Sequence, residues 1–212
     1  MEIQAFQFSP FAENTFLLFD DTKEAVLIDP GCYFPEEKKK LSDFITDKNL
    51  KLTKVLYTHC HLDHAFGANY IFNTYKGIPF EGNEAESLFI DSAISHAKTY
   101  GLQMEQPPKL TKFITEGDII TFGNTELHIF LIPGHSPGGL CFYNKVQGDL
   151  FVGDILFQGS IGRSDLPGGN QFQLINGIKT KLLCLPENVV IYPGHGDFTT
   201  IGDEKALNPY LQ

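Results

Sequence analysis

The chain has one arginine, Arg163, in 212 residues. Its 16 Lys and Arg stand against 26 Asp and Glu, for a formal net charge of −10. Phosphate contacts need clustered basic side chains, so this balance argues against duplex nucleic acid as a partner. The sole basic run, Lys38-Lys39-Lys40, follows two glutamates on a predicted helix and reads as a solvated face. No apolar run approaches the roughly 20 residues that span a bilayer, so no membrane partner is expected. Met1-Glu2-Ile3-Gln4 lacks the basic segment and apolar stretch of an export signal, which predicts a cytoplasmic setting. The chain also has no Cys-x-x-Cys pair. Cys32, Cys60, Cys141 and Cys184 are widely spaced, and in a reducing compartment they are expected as free thiols.

Apolar content of 42% with 20% charged residues describes an ordinary globular chain, long enough to bury a sizeable core. Short apolar runs predict strands over 3–8, 15–19, 25–28, 54–58, 80–82, 117–122, 126–131, 140–143, 150–152 and 189–192. Gly123-Asn124 is a two-residue hairpin signal between two of them. Helices are predicted from Pro35, over 64–76, from Asn83 to about Tyr100, over 170–183 and from Asp203 to Leu207. Asn83 and Glu86 make a capping-box-like start to the third, with an apolar stripe of Leu88, Phe89, Ala93, Ala97 and Tyr100. His96 borders that stripe, and His128 shares a strand face with Phe130; both read as structural. Gln106-Pro107-Pro108 is the clearest break, but ligands needed by the first half occur only after it. Residues 1–212 are therefore expected to form a single α/β domain with sheet-rich halves.

Chemistry collects in Thr58-His59-Cys60-His61-Leu62-Asp63-His64, directly behind a strand. Other apolar runs end the same way: 25–28 at Asp29, 129–132 at His135, 150–152 at Asp154, and 189–192 at His195. If the strands share a direction within packed sheets, these ends meet on one edge. In extended chain alternate side chains point the same way, so His59 and His61 can grip one cation while Cys60 and Leu62 face away. Asp63 and His64 follow where a helix starts and can face a second cation. Such ligands suit Zn²⁺, and also Fe or Mn. Asp29 fits two roles, orienting a ligand histidine or capping the Pro30-Gly31 turn.

The histidine cluster, Pro133-Gly134-His135, Gly153-Asp154 and Pro193-Gly194-His195 resemble the metal motifs of the metallo-β-lactamase fold superfamily over residues 25 to 210. Gly134-His135-Ser136-Pro137-Gly138-Gly139, Gly162-Arg163-Ser164-Asp165 and Leu207-Asn208-Pro209 are similar to the glyoxalase II (hydroxyacylglutathione hydrolase) branch. The resemblance implies an αβ/βα sandwich, two mixed sheets flanked by helices, with a dinuclear site. One metal would take His59, His61 and His135, and the other Asp63, His64 and His195. Asp154 would bridge them, with Asp63 and Asp154 as the catalytic carboxylates. Asp29 would orient a ligand histidine. Arg163 and Asp165 would form an ion pair bracing their loop in preference to touching substrate.

The activity implied is hydrolysis of a small-molecule thioester such as S-D-lactoylglutathione by two divalent metal ions, in a monomer or homodimer. Only 17 residues follow His195, too few for the helical extension that completes the glutathione site in longer glyoxalase II enzymes, so short relatives are the better match. The alternatives are a lactonase, or a persulfide dioxygenase with one iron on His59, His135 and Asp154. A β-lactamase is disfavoured, because Asp154 stands where a cysteine would and an export signal is lacking.

Overall fold

The computed structural model describes residues 1–212, in two compact units. One comprises Met1–Phe113 with Thr121–Thr125, the other Ile114–Ile120 with Glu126–Gln212. There are two six-stranded sheets and flanking helices, as expected for the α/β class.

In the first sheet β1 (Glu2–Phe8), β2 (Glu13–Phe19), β3 (Glu24–Ile28), β4 (Lys51–Leu56), β5 (Phe80–Gly82) and β6 (Lys112–Phe113) lie in chain order. β1 to β3 pair antiparallel, whereas β3 to β6 pair parallel. A parallel connection needs a crossover, and α1 (Pro35–Asp47) supplies it between β3 and β4. Its start is held by Glu37, whose carboxylate accepts from the Tyr33 and Phe34 amides at 2.7 and 3.0 Å. Leu41 and Ile45 face the core, which includes Leu17, Leu27, Val55, Tyr57, Ile71 and Phe80.

Two helices of this unit differ from expectation. The helix predicted over 64–76 is two pieces, α2 (Leu62–Ala65) and α3 (Ala68–Thr74). The break falls at Gly67, whose amide donates to the Pro30 carbonyl at 2.7 Å, and a Cβ there would lie 2.3 Å from Cys32 Sγ. The close approach diverts the backbone. The third helix opens as a 3-10 turn, Glu84–Glu86, before α4 (Ser87–Thr99). Asn83 Oδ1 caps the turn through the Ala85 amide at 3.0 Å. The buried face of α4 is Ile90, Ala93 and Ala97, while Leu88 and Tyr100 are 77% and 56% exposed. Leu88 stands two residues from Ile90, roughly 200° around the helix, so it cannot share that face.

The second sheet has the order β14-β13-β10-β9-β8-β7. Its strands are β7 (Ile119–Phe122), β8 (Thr125–Leu131), β9 (Leu140–Asn144), β10 (Asp149–Gly153), β13 (Val190–Pro193) and β14 (Thr199–Thr200). β11 (Leu156–Phe157) and β12 (Ser160–Ile161) form a small separate hairpin. β8 and β10 both run antiparallel to β9, and β13 runs parallel to β10. Hence β8, β10 and β13 share a direction, and their exits lie on one sheet edge. The helix predicted over 170–183 is α5 (Gln171–Gly177) continued by a π turn, Ile178–Leu182. It buries Leu174, Ile178 and Leu182 against Ile132, Leu150, Val152 and Ile191. α6 (Ile201–Leu207) is the last helix. No helix is long and apolar enough to cross a membrane. All four cysteines are free thiols, as expected.

Candidate metal centre

In the first unit the parallel register pairs Ile28 with Leu56, so the chain leaves β3 and β4 side by side. Asp29 stands at the β3 exit with φ +51°, a left-handed conformation that Asp tolerates better than most residues. Its side chain crosses to the neighbouring exit. Oδ1 accepts from the Thr58 amide at 2.8 Å, and Oδ2 accepts from the Thr58 hydroxyl and from His64 Nδ1, the latter at 2.9 Å. The Pro30-Gly31 turn is closed by backbone instead, the Gly31 amide donating to the Asp29 carbonyl at 2.8 Å. Of the two roles open to Asp29, the carboxylate contacts the histidine.

These contacts fix the protons on two rings. The Thr58 hydroxyl hydrogen goes to Asp29, so at 3.1 Å the same oxygen accepts from His59 Nδ1. His64 Nδ1 also donates, because its partner is a carboxylate oxygen. Both rings therefore carry hydrogen on Nδ1 and present the Nε2 lone pair. His59 lies 4.7 Å from His61 and 4.1 Å from His64 between ring centroids, and Asp63 Oδ2 is 3.8 Å from His64 Nε2. Ligand atoms of Asp29, His59 and His64 lie within 4.8 Å of one another. Cys60 points into the core, 1% exposed, where burial pushes its thiol well above the ordinary range.

Two acids here escaped the sequence reading. Glu13, on β2, is fully buried, with Oε1 3.9 Å from His64 Nδ1. Thr15 Oγ1 is 2.7 Å from both Glu13 Oε2 and the Asp29 carbonyl, and it already accepts from the Gly31 amide at 3.0 Å. One hydroxyl hydrogen cannot serve both oxygens, and the carbonyl can only accept, so a proton on Glu13 closes the other contact. Burial, the largest influence, pushes the Glu13 carboxyl well above its usual range in agreement. Glu86, also fully buried, accepts from the Cys60 amide through Oε2 at 3.0 Å. The available signal for Glu13 was an acid three residues ahead of the apolar run Phe16-Leu17-Leu18-Phe19; Glu86 was hidden behind its capping-box spacing.

In the second unit the exits of β8, β10 and β13 carry His135, Asp154 and His195. Gly134, at φ +135°, makes the turn, and its carbonyl accepts from the Asn170 amide at 2.7 Å. A Cβ at Gly134 would lie 2.5 Å from Asn170 O and Leu174 N, so only glycine fits against the start of α5. His135 Nδ1 donates to the Arg163 carbonyl at 2.8 Å, which again leaves Nε2 as the open nitrogen. His135 Nε2 and His195 Nε2 stand 3.7 and 3.6 Å from the same oxygen, Asp154 Oδ2. Those separations exceed hydrogen-bond length and suit donors that share a cation at about 2.0–2.2 Å each. The Arg163 guanidinium pairs with Asp165 through two contacts of 2.8 Å, in the open, with side chains 59% and 69% exposed. Hydrogen bonding to Arg163 holds the Asp165 carboxyl down to about 2. The expected ion pair is present, and the backbone carbonyl of Arg163 is what reaches a histidine. Within each unit, imidazole nitrogens with fixed tautomers stand beside carboxylates, a donor set that fits Zn²⁺, Fe or Mn.

A family model described as Metallo-beta-lactamase superfamily matches residues 9–195. Hydroxyacylglutathione hydrolase GloC of Haemophilus influenzae is 37% identical over 218 residues, covering 100% of this chain and 98% of that protein. The structure of BLEG-1 B3 metallo-beta-lactamase superposes with a TM-score of 0.90 at 33% identity, covering 100% of both chains. TTHA1623 in a di-iron-bound form gives a TM-score of 0.88 at 34% identity, covering 98% of this chain and 100% of that one.

Proposed function

This chain belongs to the metallo-beta-lactamase superfamily and has its αβ/βα fold, and we propose that it is a dinuclear metal-dependent hydrolase cleaving an acyl thioester. S-D-lactoylglutathione is the first substrate to try, on the strength of the full-length likeness to a hydroxyacylglutathione hydrolase. The observation that carries the reading is the anchoring of His59, His64 and His135 through Nδ1, which aims each Nε2 as a metal ligand. In this reading His59, His61 and His135 hold one ion. Asp63, His64 and His195 hold the other, and Asp154 bridges. Residues 1–212 act as one functional domain, a monomer or homodimer in the cytoplasm.

When bound, the ions supply Lewis acidity and a water that gives up its proton near neutral pH. The chain's own residues do the positioning. Asp29, Thr58 and the Arg163 carbonyl keep the imidazoles in the ligating tautomer, and outer contacts of this kind set ligand orientation and basicity. Asp63 and Asp154 supply the carboxylates whose charge offsets that of the cations. A thioester suits this set because its thiolate departs with little help from a general acid. The expected metal is zinc.

Metal analysis of the purified chain, with an activity panel, tests the proposal. Two metals per chain with thioester cleavage support it. One iron with oxygen consumption on a glutathione persulfide would move the assignment to a dioxygenase, with His59, His135 and Asp154 as ligands. Iron in place of zinc as a dinuclear pair has a precedent in the di-iron-bound TTHA1623. Lactones and a β-lactam belong on the panel, the latter because of the likeness to BLEG-1. Turnover confined to either class would overturn the thioester assignment.

A further inference from the structure

The ligand-bearing loop after β4 has no regular secondary structure through residues 57–61, so its shape depends on where each amide is tied. Three ties come from three different elements. The Tyr57 amide donates to the Glu81 carbonyl of β5 at 2.9 Å, and the Thr58 amide to Asp29 Oδ1 beyond β3 at 2.8 Å. The Cys60 amide donates to Glu86 Oε2 at the head of α4 at 3.0 Å. The last is the tie that falls between His59 and His61. One turn along the same helix, Phe89 sets its ring edge-on to the His61 imidazole, at 4.9 Å and 85°. The capped turn at Asn83 fixes where Glu86 starts. Burying a carboxylate is costly unless hydrogen bonds offset it, and this one is fully buried against the backbone of a residue that ligates nothing.

We propose that Glu86 is a positioning residue for His59 and His61, acting through the reach of its acceptor oxygen rather than through its charge. The inference rests on the ligand set proposed above. Its chemistry separates it from simple electrostatic attraction to nearby cations. Gln keeps an oxygen at the same reach and removes the charge. Asp keeps the charge and withdraws the oxygen by one methylene, about 1.5 Å. Reach predicts that Gln works and Asp does not; charge predicts the reverse.

The test uses the full chain stripped of metal, with Zn²⁺ affinity measured by competition against a chromophoric chelator. Wild type, Glu86→Gln, Glu86→Asp and Glu86→Ala are compared, with His61→Ala as the ligand control and apo-protein melting followed in parallel. The expected result is near-wild-type affinity in Glu86→Gln, with a loss of about 10–100-fold in Glu86→Asp and Glu86→Ala. Asp binding as tightly as wild type, Gln falling alongside Asp, or loss of the apo fold in both would overturn the inference. The control separates this from failure of the broader reading. If His61→Ala holds zinc as well as wild type, the ligand set itself falls and the inference falls with it. If the control loses zinc while every Glu86 variant keeps it, only the inference falls.

Discussion

Asp29 Oδ2 receives His64 Nδ1 at 2.9 Å, and the same carboxylate takes both the amide and the hydroxyl of Thr58. One side chain at the end of β3 thus organises the loop at the end of β4. Thr58 relays the arrangement to His59. The parallel pairing of β3 and β4 makes this possible, because it sets the two exits on the same edge. Asp29 accepts a left-handed backbone, φ +51°, to reach across.

Asp29→Asn isolates the hydrogen bonds from the backbone. Asn tolerates the left-handed conformation, but its amide offers one acceptor oxygen where three donors converge. Zinc affinity is expected to fall about 10–100-fold, as when an outer hydrogen bond to a ligand is removed. Asp29→Ala adds backbone strain of roughly 1–3 kcal/mol, so it should lose zinc and also melt lower without metal. Chelator competition and apo-protein melting read the two effects separately. Unchanged affinity in Asp29→Asn would mean that His64 needs no help from this carboxylate.

Much of this arrangement was legible in the residues, because it follows from strand periodicity and ligand chemistry. Apolar runs closing on Asp29, His59, His135, Asp154 and His195 gave the strand exits, and alternation turned Cys60 away from His59 and His61. What could not be read depends on long-range contact. The break at Gly67 comes from Pro30 and Cys32, over 30 residues earlier. Glu86 looked like a helix cap until the fold placed Cys60 beside it. The Arg163 carbonyl that holds His135 is backbone, and residue identity carries no sign of it. β6, β11, β12 and β14 span two residues each, too short to show a period.

Asp154→Ala removes the oxygen that stands 3.7 Å from His135 Nε2 and 3.6 Å from His195 Nε2. In the proposed centre it is the shared ligand. Its loss should therefore exceed the roughly 10–100-fold that an outer contact costs, with bound metal reduced at both positions. Metal stoichiometry and thioester kcat/KM on the same preparation check this. Full occupancy with near-wild-type turnover would remove Asp154 from the centre.

Gly134→Ala probes the turn that delivers His135. At φ +135° an L residue is strained, and the added Cβ would meet Asn170 O and Leu174 N at 2.5 Å, both backbone atoms that cannot swing aside. A loss of more than about 3 kcal/mol is expected from strain and overlap together. Denaturant melts of the metal-free variant measure it. Stability within error of wild type would show that the start of α5 can yield.

Tyr192 and Asp149 contribute to the pH dependence of stability at high pH. The Tyr192 hydroxyl donates to Asp149 Oδ1 at 3.1 Å, and its ring lies between Phe151 and Phe198 at 4.8 and 4.7 Å. Burial, and after it the Asp149 charge, pushes the Tyr192 phenol from 10.0 to about 12. The folded chain then keeps a proton that the unfolded chain has released, so stability falls with rising pH in that interval. The contribution is fully present below about 10 and is lost as pH climbs through about 12. Burial also raises the phenols of Tyr57, Tyr75 and Tyr143, so wild type has several late-titrating tyrosines. Tyrosinate absorbance of Tyr192→Phe should show one fewer of them. In Asp149→Asn the Tyr192 phenol should titrate earlier yet stay above the ordinary value, since burial remains the larger cause. Stability of Tyr192→Phe should decline less steeply across this window than that of wild type, and equal slopes would exclude Tyr192 as a contributor.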